Sequence, residues 1–315
     1  MRKILFTITT VLLSGMLWAQ DDLLAELQKD DSSQVKQNIT IATFKSTRVI
    51  NMHSPEMTGV NNLQFMIIHH FGEIWNKQEG VSNLARLFGL NASFASTYMS
   101  FDYSPRHWLN VGLAFAGGSA IEGTAKFKIL RQQTGMRNYP VSLVWLSTAH
   151  FNASKSVPAP NGFTWNKFSY LHQLIIARKF SEKLSLQVVP SVVHNNIVAY
   201  GYGNSHDVFS LGMGGRIKLT NKTAITFEYN RQLNMYKNVL DKTGEIVNYS
   251  PNLMSLGYDW DTGGHIFQFF ISNSAFASNL PQLTANPKRD NLGQFSLGFN
   301  LNRSYSMKQA VKATN

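Results

Sequence analysis

After residue 60 this sequence falls into about twelve segments of roughly ten residues, each alternating apolar and polar side chains. The links between them alternate as well, short and then long, with one exception, the brief Gly117-Gly118-Ser119-Ala120 link. Alternation with period two marks an extended strand with two unlike faces. Many such strands joined by alternately short and long connections are the pattern of an up-and-down barrel that crosses a membrane, with short turns on the periplasmic side and long loops outside.

The predicted strands are 61–71, 92–103, 107–117, 121–131, 139–150, 164–179, 183–194, 206–219, 222–232, 252–261, 264–273 and 291–301. In the last, Phe295, Leu297, Phe299 and Leu301 oppose Gln294, Ser296, Gly298 and Asn300. In the ninth, Ile225, Phe227 and Tyr229 oppose Thr226, Glu228 and Asn230. The apolar set is assigned to lipid and the polar set to the lumen. A soluble sandwich or lipocalin-like barrel is the competing fold, but it needs neither the long–short links nor so many aromatic faces. The predicted class is therefore all-β, a transmembrane antiparallel up-and-down barrel of about 12 strands, preceded by a short N-terminal helical periplasmic segment.

The remainder of the chain divides around this unit. Arg2 and Lys3, an apolar run to Leu17 and Trp18-Ala19-Gln20-Asp21 form a signal peptide over 1–20. Residues 21–60 are a periplasmic leader and lead-in segment, a candidate plug, in which Leu23, Leu24 and Leu27 share a helical face. The barrel occupies 61–301 and a periplasmic tail 302–315. Both termini are expected on the periplasmic side of the outer membrane of a Gram-negative bacterium.

There is no cysteine, which removes disulfides, thiolate metal centres and lipid attachment. The formal net charge of +11 becomes +9 without Arg2 and Lys3. Residues 21–31 hold five acids against Lys29, so the chain from 32 onward carries +13. Secretion argues against a nucleic-acid partner. The expected partners are outer-membrane lipids, the barrel-assembly machinery, and a small anionic solute or an envelope protein.

The positive charge concentrates at the short turns. Arg106, Arg131, Arg137, Arg178, Lys179, Lys183, Lys218 and Lys222 form a basic periplasmic rim opposed by Glu182, apart from an acidic turn at Asp259 and Asp261. Such a rim suits snorkelling toward anionic headgroups. It also suits occlusion of the mouth by acidic 21–31. The lumen is expected to receive Glu122, Lys126, Lys128, Arg216, Glu228, Asn230, Gln294 and Asn300. Mixed charge in a twelve-strand lumen points to interlocked side chains and a narrow or plugged pore. Lys45, Arg48, Asn51 and Glu56, beside Ser54, form a polar cluster that either grips a ligand or fixes the lead-in segment.

Enzymatic chemistry is not expected. His69 and His70 are adjacent on a strand and so point to opposite faces, which suits one lumenal and one outer position rather than one metal site. The other histidines lack ligand spacing. No cofactor is expected, and a lipid hydrolase with a Ser–His pair on the barrel surface is a weak alternative.

Further motifs carry a resemblance. Phe44-Lys45-Ser46-Thr47-Arg48-Val49-Ile50-Asn51 with Ser54-x-Glu56 is followed by Leu63-x-Phe65-x-Ile67-x-His69-His70-Phe71-Gly72 and Phe88-Gly89-Leu90-Asn91. Gly263-Gly264-His265-Ile266-Phe267-Gln268 with Ser272-Asn273-Ser274 comes near the end. Together these resemble a Bacteroidota envelope β-barrel family known only as a domain of unknown function. The resemblance implies an outer-membrane barrel and supplies no activity. A narrow channel or transport-associated barrel is the leading expectation, and a closed barrel scaffolding an envelope complex is the alternative.

Overall fold

Between Asp207 and Lys218 buried and exposed residues alternate along the chain, with Val208, Ser210, Gly212 and Gly214 covered and Phe209, Leu211 and Met213 nearly half exposed. Extended backbone forces this division, and it recurs on every strand of the barrel. The structure is a computed structural model that describes residues 37–75, 95–117, 119–154, 165–198, 205–234, 236–240, 245–249, 252–274, 276–284 and 295–307.

Twelve strands close into one antiparallel barrel. In chain order they are β1 (Asn62–Trp75), β2 (Ser96–Arg106), β3 (Leu109–Phe115), β4 (Ala120–Leu130), β5 (Ser142–Asn152) and β6 (Phe168–Lys179). They continue as β7 (Leu184–Asn195), β8 (Asp207–Lys218), β9 (Thr223–Gln232), β10 (Asn252–Asp261), β11 (Ile266–Ser272) and β12 (Phe295–Ser306). Neighbours in sequence are neighbours in the sheet, and β12 pairs with β1, Arg303 opposite Phe65 and Phe299 opposite His69. Closure leaves no unpaired edge, which a strand in lipid requires.

The outer surface is apolar, with Leu113, Phe115, Trp145, Met254, Leu256 and Phe269 among its exposed side chains. Among the described residues no helix is long and apolar enough to cross a membrane. The short turns after β2, β6, β8 and β10 lie at one mouth, and the brief link after β3 lies at the other. Aromatic rings gather at the first: Trp108 stacks with Phe127, Trp260 packs on Phe267, and Arg303 covers Tyr305. An even number of strands brings Asn62 and Ser306 to this same mouth.

Two details differ from the sequence reading. The last strand runs to Ser306, so residues 302–306 belong to the barrel rather than to a tail; pairing with Asn62–Met66 extends it. Asp259 is not part of an acidic turn but faces inward near the end of β10. The helical segment expected over 21–37 lies almost wholly outside the described residues. Residues 133–138, with Gln37 and Asn38, form a small unit of their own, in which Gln37 Nε2 donates to the Arg137 carbonyl.

Candidate lumenal site

The inward face of the barrel is met by chain. Residues 43–58 are almost entirely buried although they belong to no strand of the sheet. They fold as a narrow hairpin in which the Val49 N–H donates to the Met52 carbonyl (2.8 Å), and that of Ser54 to the Thr47 carbonyl (3.0 Å). Two side chains brace its base: Ser54 Oγ donates to the Ser46 carbonyl, and Glu56 Oε1 accepts the Phe44 N–H at 3.1 Å. A backbone ribbon this short leaves most of its N–H and C=O groups unpaired, so buried placement demands partners from the wall.

The inward side chains supply them. Glu228 Oε1 on β9 accepts the N–H groups of Ile50 (2.8 Å) and Met52 (2.6 Å). Asn300 on β12 donates to the Ile50 carbonyl at 2.8 Å, and Gln268 on β11 to that of Val49. Lys126 on β4 spans the other edge, its ammonium donating to the carbonyls of Thr47 (2.9 Å), Ser54 (3.1 Å) and Glu56 (3.3 Å). Gln187 on β7 donates to the His53 carbonyl at 2.8 Å. Thr47 donates to Gln64 on β1, Asn302 on β12 to Ser46, and Thr58 to Ser104 on β2. An ammonium shared among three carbonyls and a carboxylate shared between two N–H groups are charge-assisted bonds, the stronger kind.

The polar cluster read from sequence divides along this hairpin. Arg48 donates to the Asn51 carbonyl (2.7 Å) and to the Tyr98 hydroxyl (2.8 Å), with its guanidinium 4.9 Å from the Tyr98 ring centre. Asn51 lies 3.0 Å from His70 Nε2 on β1 and reaches Ser255 on β10. Glu56 closes the hairpin base, and Lys45 pairs with Asp261 at 2.7 Å. Arg48 and Asn51 thus meet at the hairpin turn, while Lys45 stands apart near the mouth. His53 is buried at the hairpin's edge, where desolvation, reinforced by Arg48 and Lys126, lowers its pKa well below the ordinary imidazole value.

A second piece of chain reaches inward from the long-loop end. After β11, residues 273–274 and 276–284 are largely buried and carry one helical turn, α1 (Asn279–Leu283). Ser278 donates to Glu122 on β4, which also holds His150 at 2.8 Å. The Ser274 carbonyl lies 3.0 Å from His70 Nδ1, so His70 touches both inserted pieces.

Of the remaining lumenal expectations, Asn230 is buried on the inward face and Lys128 is half-buried on the same face as Lys126. Arg216 Nε lies 3.5 Å from Asp259, itself held by Gln268 at 2.6 Å. Gln294 lies outside the described residues. The rim residues Arg106, Arg131, Arg178, Lys179, Lys183, Lys218 and Lys222 sit on or beside the short turns. Arg178 covers the Phe180 ring, and Lys179 pairs with Glu182, whose pKa it lowers. Arg137 belongs to the small separate unit.

His69 lies on the outer face against Phe71 and Phe299, opposite in direction to His70. A Ser–His pair also occupies the outer face: Ser147 Oγ is 3.0 Å from His172 Nδ1 and accepts from Trp145 Nε1 at 2.9 Å. Among the described residues no three His, Cys, Asp or Glu side chains gather as a metal site.

Sequence reasoning missed what makes room for the hairpin. A methyl at Gly257 would stand 3.1 Å from Ile50 Cδ1, one at Gly212 2.8 Å from Met52 Cε, and one at Gly214 3.3 Å from Val49 Cγ2. Glycine at inward strand positions, where a side chain would otherwise fill the barrel, was the available signal.

No curated protein matches the sequence. Among solved structures the chain is similar to a NanC porin, at 9% identity over 76% of this chain and 98% of that one, with a TM-score of 0.46. It is also similar to a Pseudomonas aeruginosa FadL homologue, at 10% identity over 85% and 94%, with a TM-score of 0.39. The family model that matches covers residues 44–305, from the start of the lumenal hairpin through the last strand. The chain belongs to the family described as the membrane-bound β-barrel domain DUF5777.

Proposed function

We propose that this protein is an outer-membrane channel, non-enzymatic and transport-associated, held closed by its own hairpin over residues 43–58. The observation that carries the reading is Glu228 accepting the N–H groups of Ile50 and Met52, with Asn300 and Gln268 holding the neighbouring carbonyls. Those side chains stand on β9, β11 and β12, while Lys126 on β4 and Gln187 on β7 reach the hairpin from elsewhere on the wall. A ribbon tied to strands all round the lumen occupies the space a solute would cross. The family match begins where this ribbon begins, which supports treating hairpin and barrel as one working unit. Both ends of the barrel domain then face the periplasm, and the basic rim meets the inner-leaflet headgroups.

The density of bonds around the hairpin also favours a second reading, a permanently closed barrel that scaffolds an envelope complex. Liposome swelling separates them. Reconstituted Glu228→Ala/Gln268→Ala protein is expected to admit small solutes faster than wild type. Equal impermeability of both, with correct folding, would favour the scaffold.

A further inference from the structure

The two sides of the lumen hold their contents differently. From β9 round to β4 the wall grips the hairpin through hydrogen bonds and charge. Across β5 to β8, with Gln187 as a tie, the inserted chain rests on apolar contacts. Met52 sits among Val144, Leu146, Ile175 and Val189. Nearer the long-loop end, Leu280 and Leu283 of α1 sit on Leu171, Val193 and Val208.

Between these two apolar layers runs a band of uncharged polar side chains. Gln173, Ser191 and Ser210 are direct cross-strand partners on β6, β7 and β8, with Thr148 on β5 diagonal to Gln173 and opposite Leu171. All four are buried, and Gln173 Nε2 donates to Ser191 Oγ at 2.8 Å. Among the described residues, Gln173 Oε1, Thr148 Oγ1, Ser210 Oγ and both amide atoms of Asn279 on α1 have no hydrogen-bond partner. A buried polar group without a partner destabilises the state that buries it. Separating α1 from this wall gives those groups partners in water or solute, and it breaks only apolar contacts there.

We propose that the permeation path runs along the β5–β8 wall, that α1 is its gate at the long-loop end, and that the permeant is a small uncharged hydrogen-bonding solute, a sugar or polyol. The band carries amides and hydroxyls and no charge. The lumenal charges of Lys126, Glu228 and Arg48 are committed to the hairpin, and that of Glu122 to His150 and Ser278. Arg216, at the short-turn end of β8, is paired with Asp259, and Lys128 stands on β4, outside this wall. This inference rests on the reading of the barrel as a channel.

The test is swelling of proteoliposomes in L-arabinose and, separately, in sodium gluconate. It compares wild type, a deletion of residues 44–57, and that deletion carrying Leu280→Ala/Leu283→Ala, because the docked hairpin closes the lumen. In the deletion background the alanine pair is expected to raise arabinose entry several-fold with little effect on gluconate. Unchanged arabinose entry on adding the pair, while the deletion admits both solutes, would overturn the path and leave the channel reading standing. An equal rise in gluconate and arabinose entry on adding the pair would overturn the neutral permeant. No entry in any variant would overturn the channel reading itself and the path with it. If the alanine pair does not fold, Gln173→Trp within the deletion variant replaces it. A several-fold loss of arabinose entry supports the path, and unchanged entry overturns it.

Discussion

Glu228 and Ile50 meet inside the barrel, the carboxylate oxygen 2.8 Å from the backbone N–H, and the same oxygen takes the Met52 N–H at 2.6 Å. An acid read from strand alternation as a pore-lining charge therefore caps the turn of a buried hairpin. Replacing it by alanine strands two backbone donors among apolar neighbours, at a cost of about 2–5 kcal/mol to the docked hairpin. Glu228→Ala is expected to make residues 43–58 cleavable by added protease while the strand ladder stays intact. Glu228→Gln keeps an acceptor and should fall between that variant and wild type.

Acid should loosen the same hairpin through His53. Its pKa in the docked state is lowered, first by burial and then by Arg48 and Lys126. The released hairpin has the ordinary value of about 6.5 and binds a proton more readily. The contribution of a neutral His53 is therefore fully present above about pH 6.5 and is lost as pH falls below that value toward the docked-state pKa. Protease cleavage of the hairpin should quicken between about pH 7.5 and about pH 5. In His53→Leu this part of the acceleration should disappear, and a pH profile unchanged from wild type would remove His53 from the account.

Glycine at 257 is a steric requirement of the docked state. A Cβ there would lie 2.8 Å from Thr226 Oγ1 and 3.1 Å from Ile50 Cδ1. Gly257→Val adds two further carbons in the same direction and is expected to cost about 1–3 kcal/mol by overpacking. A variant that melts as wild type does, with the hairpin equally protected, would contradict this placement of Ile50.

Lys45 and Asp261 should matter far less. Their ion pair is 2.7 Å long, but the lysine side chain is 40% exposed. Exposed pairs contribute about 0–1 kcal/mol and weaken with salt. Lys45→Ala should shift hairpin protection slightly at low salt and not measurably at high salt.

The barrel was legible because its rule is local: each strand must show lipid one face and the lumen the other, so Phe299 and Asn300 declare their directions from adjacent positions. Strand count and the faces of β3, β9 and β12 follow from that alternation. The hairpin follows no such rule. Val49 to His53 is a short run with neither strand nor helix period, and its burial depends on partners as distant in sequence as Glu228 and Asn300. The Lys45, Arg48, Asn51 and Glu56 cluster was visible as a group of polar types, but not the division of labour that sends Arg48 to Tyr98 and Lys45 to Asp261. The α1 segment was hidden for the same reason: Leu280 and Leu283 look like loop residues until Leu171, Val193 and Val208 are opposite them.

The central claim is that residues 43–58 close the barrel, and single-channel recording of the 44–57 deletion beside wild type tests it most directly. The account predicts a large, steady conductance in the deletion and silence or brief small openings in wild type, with both proteins showing the heat-dependent mobility of a folded barrel. Equal conductance in the two folded proteins would contradict it.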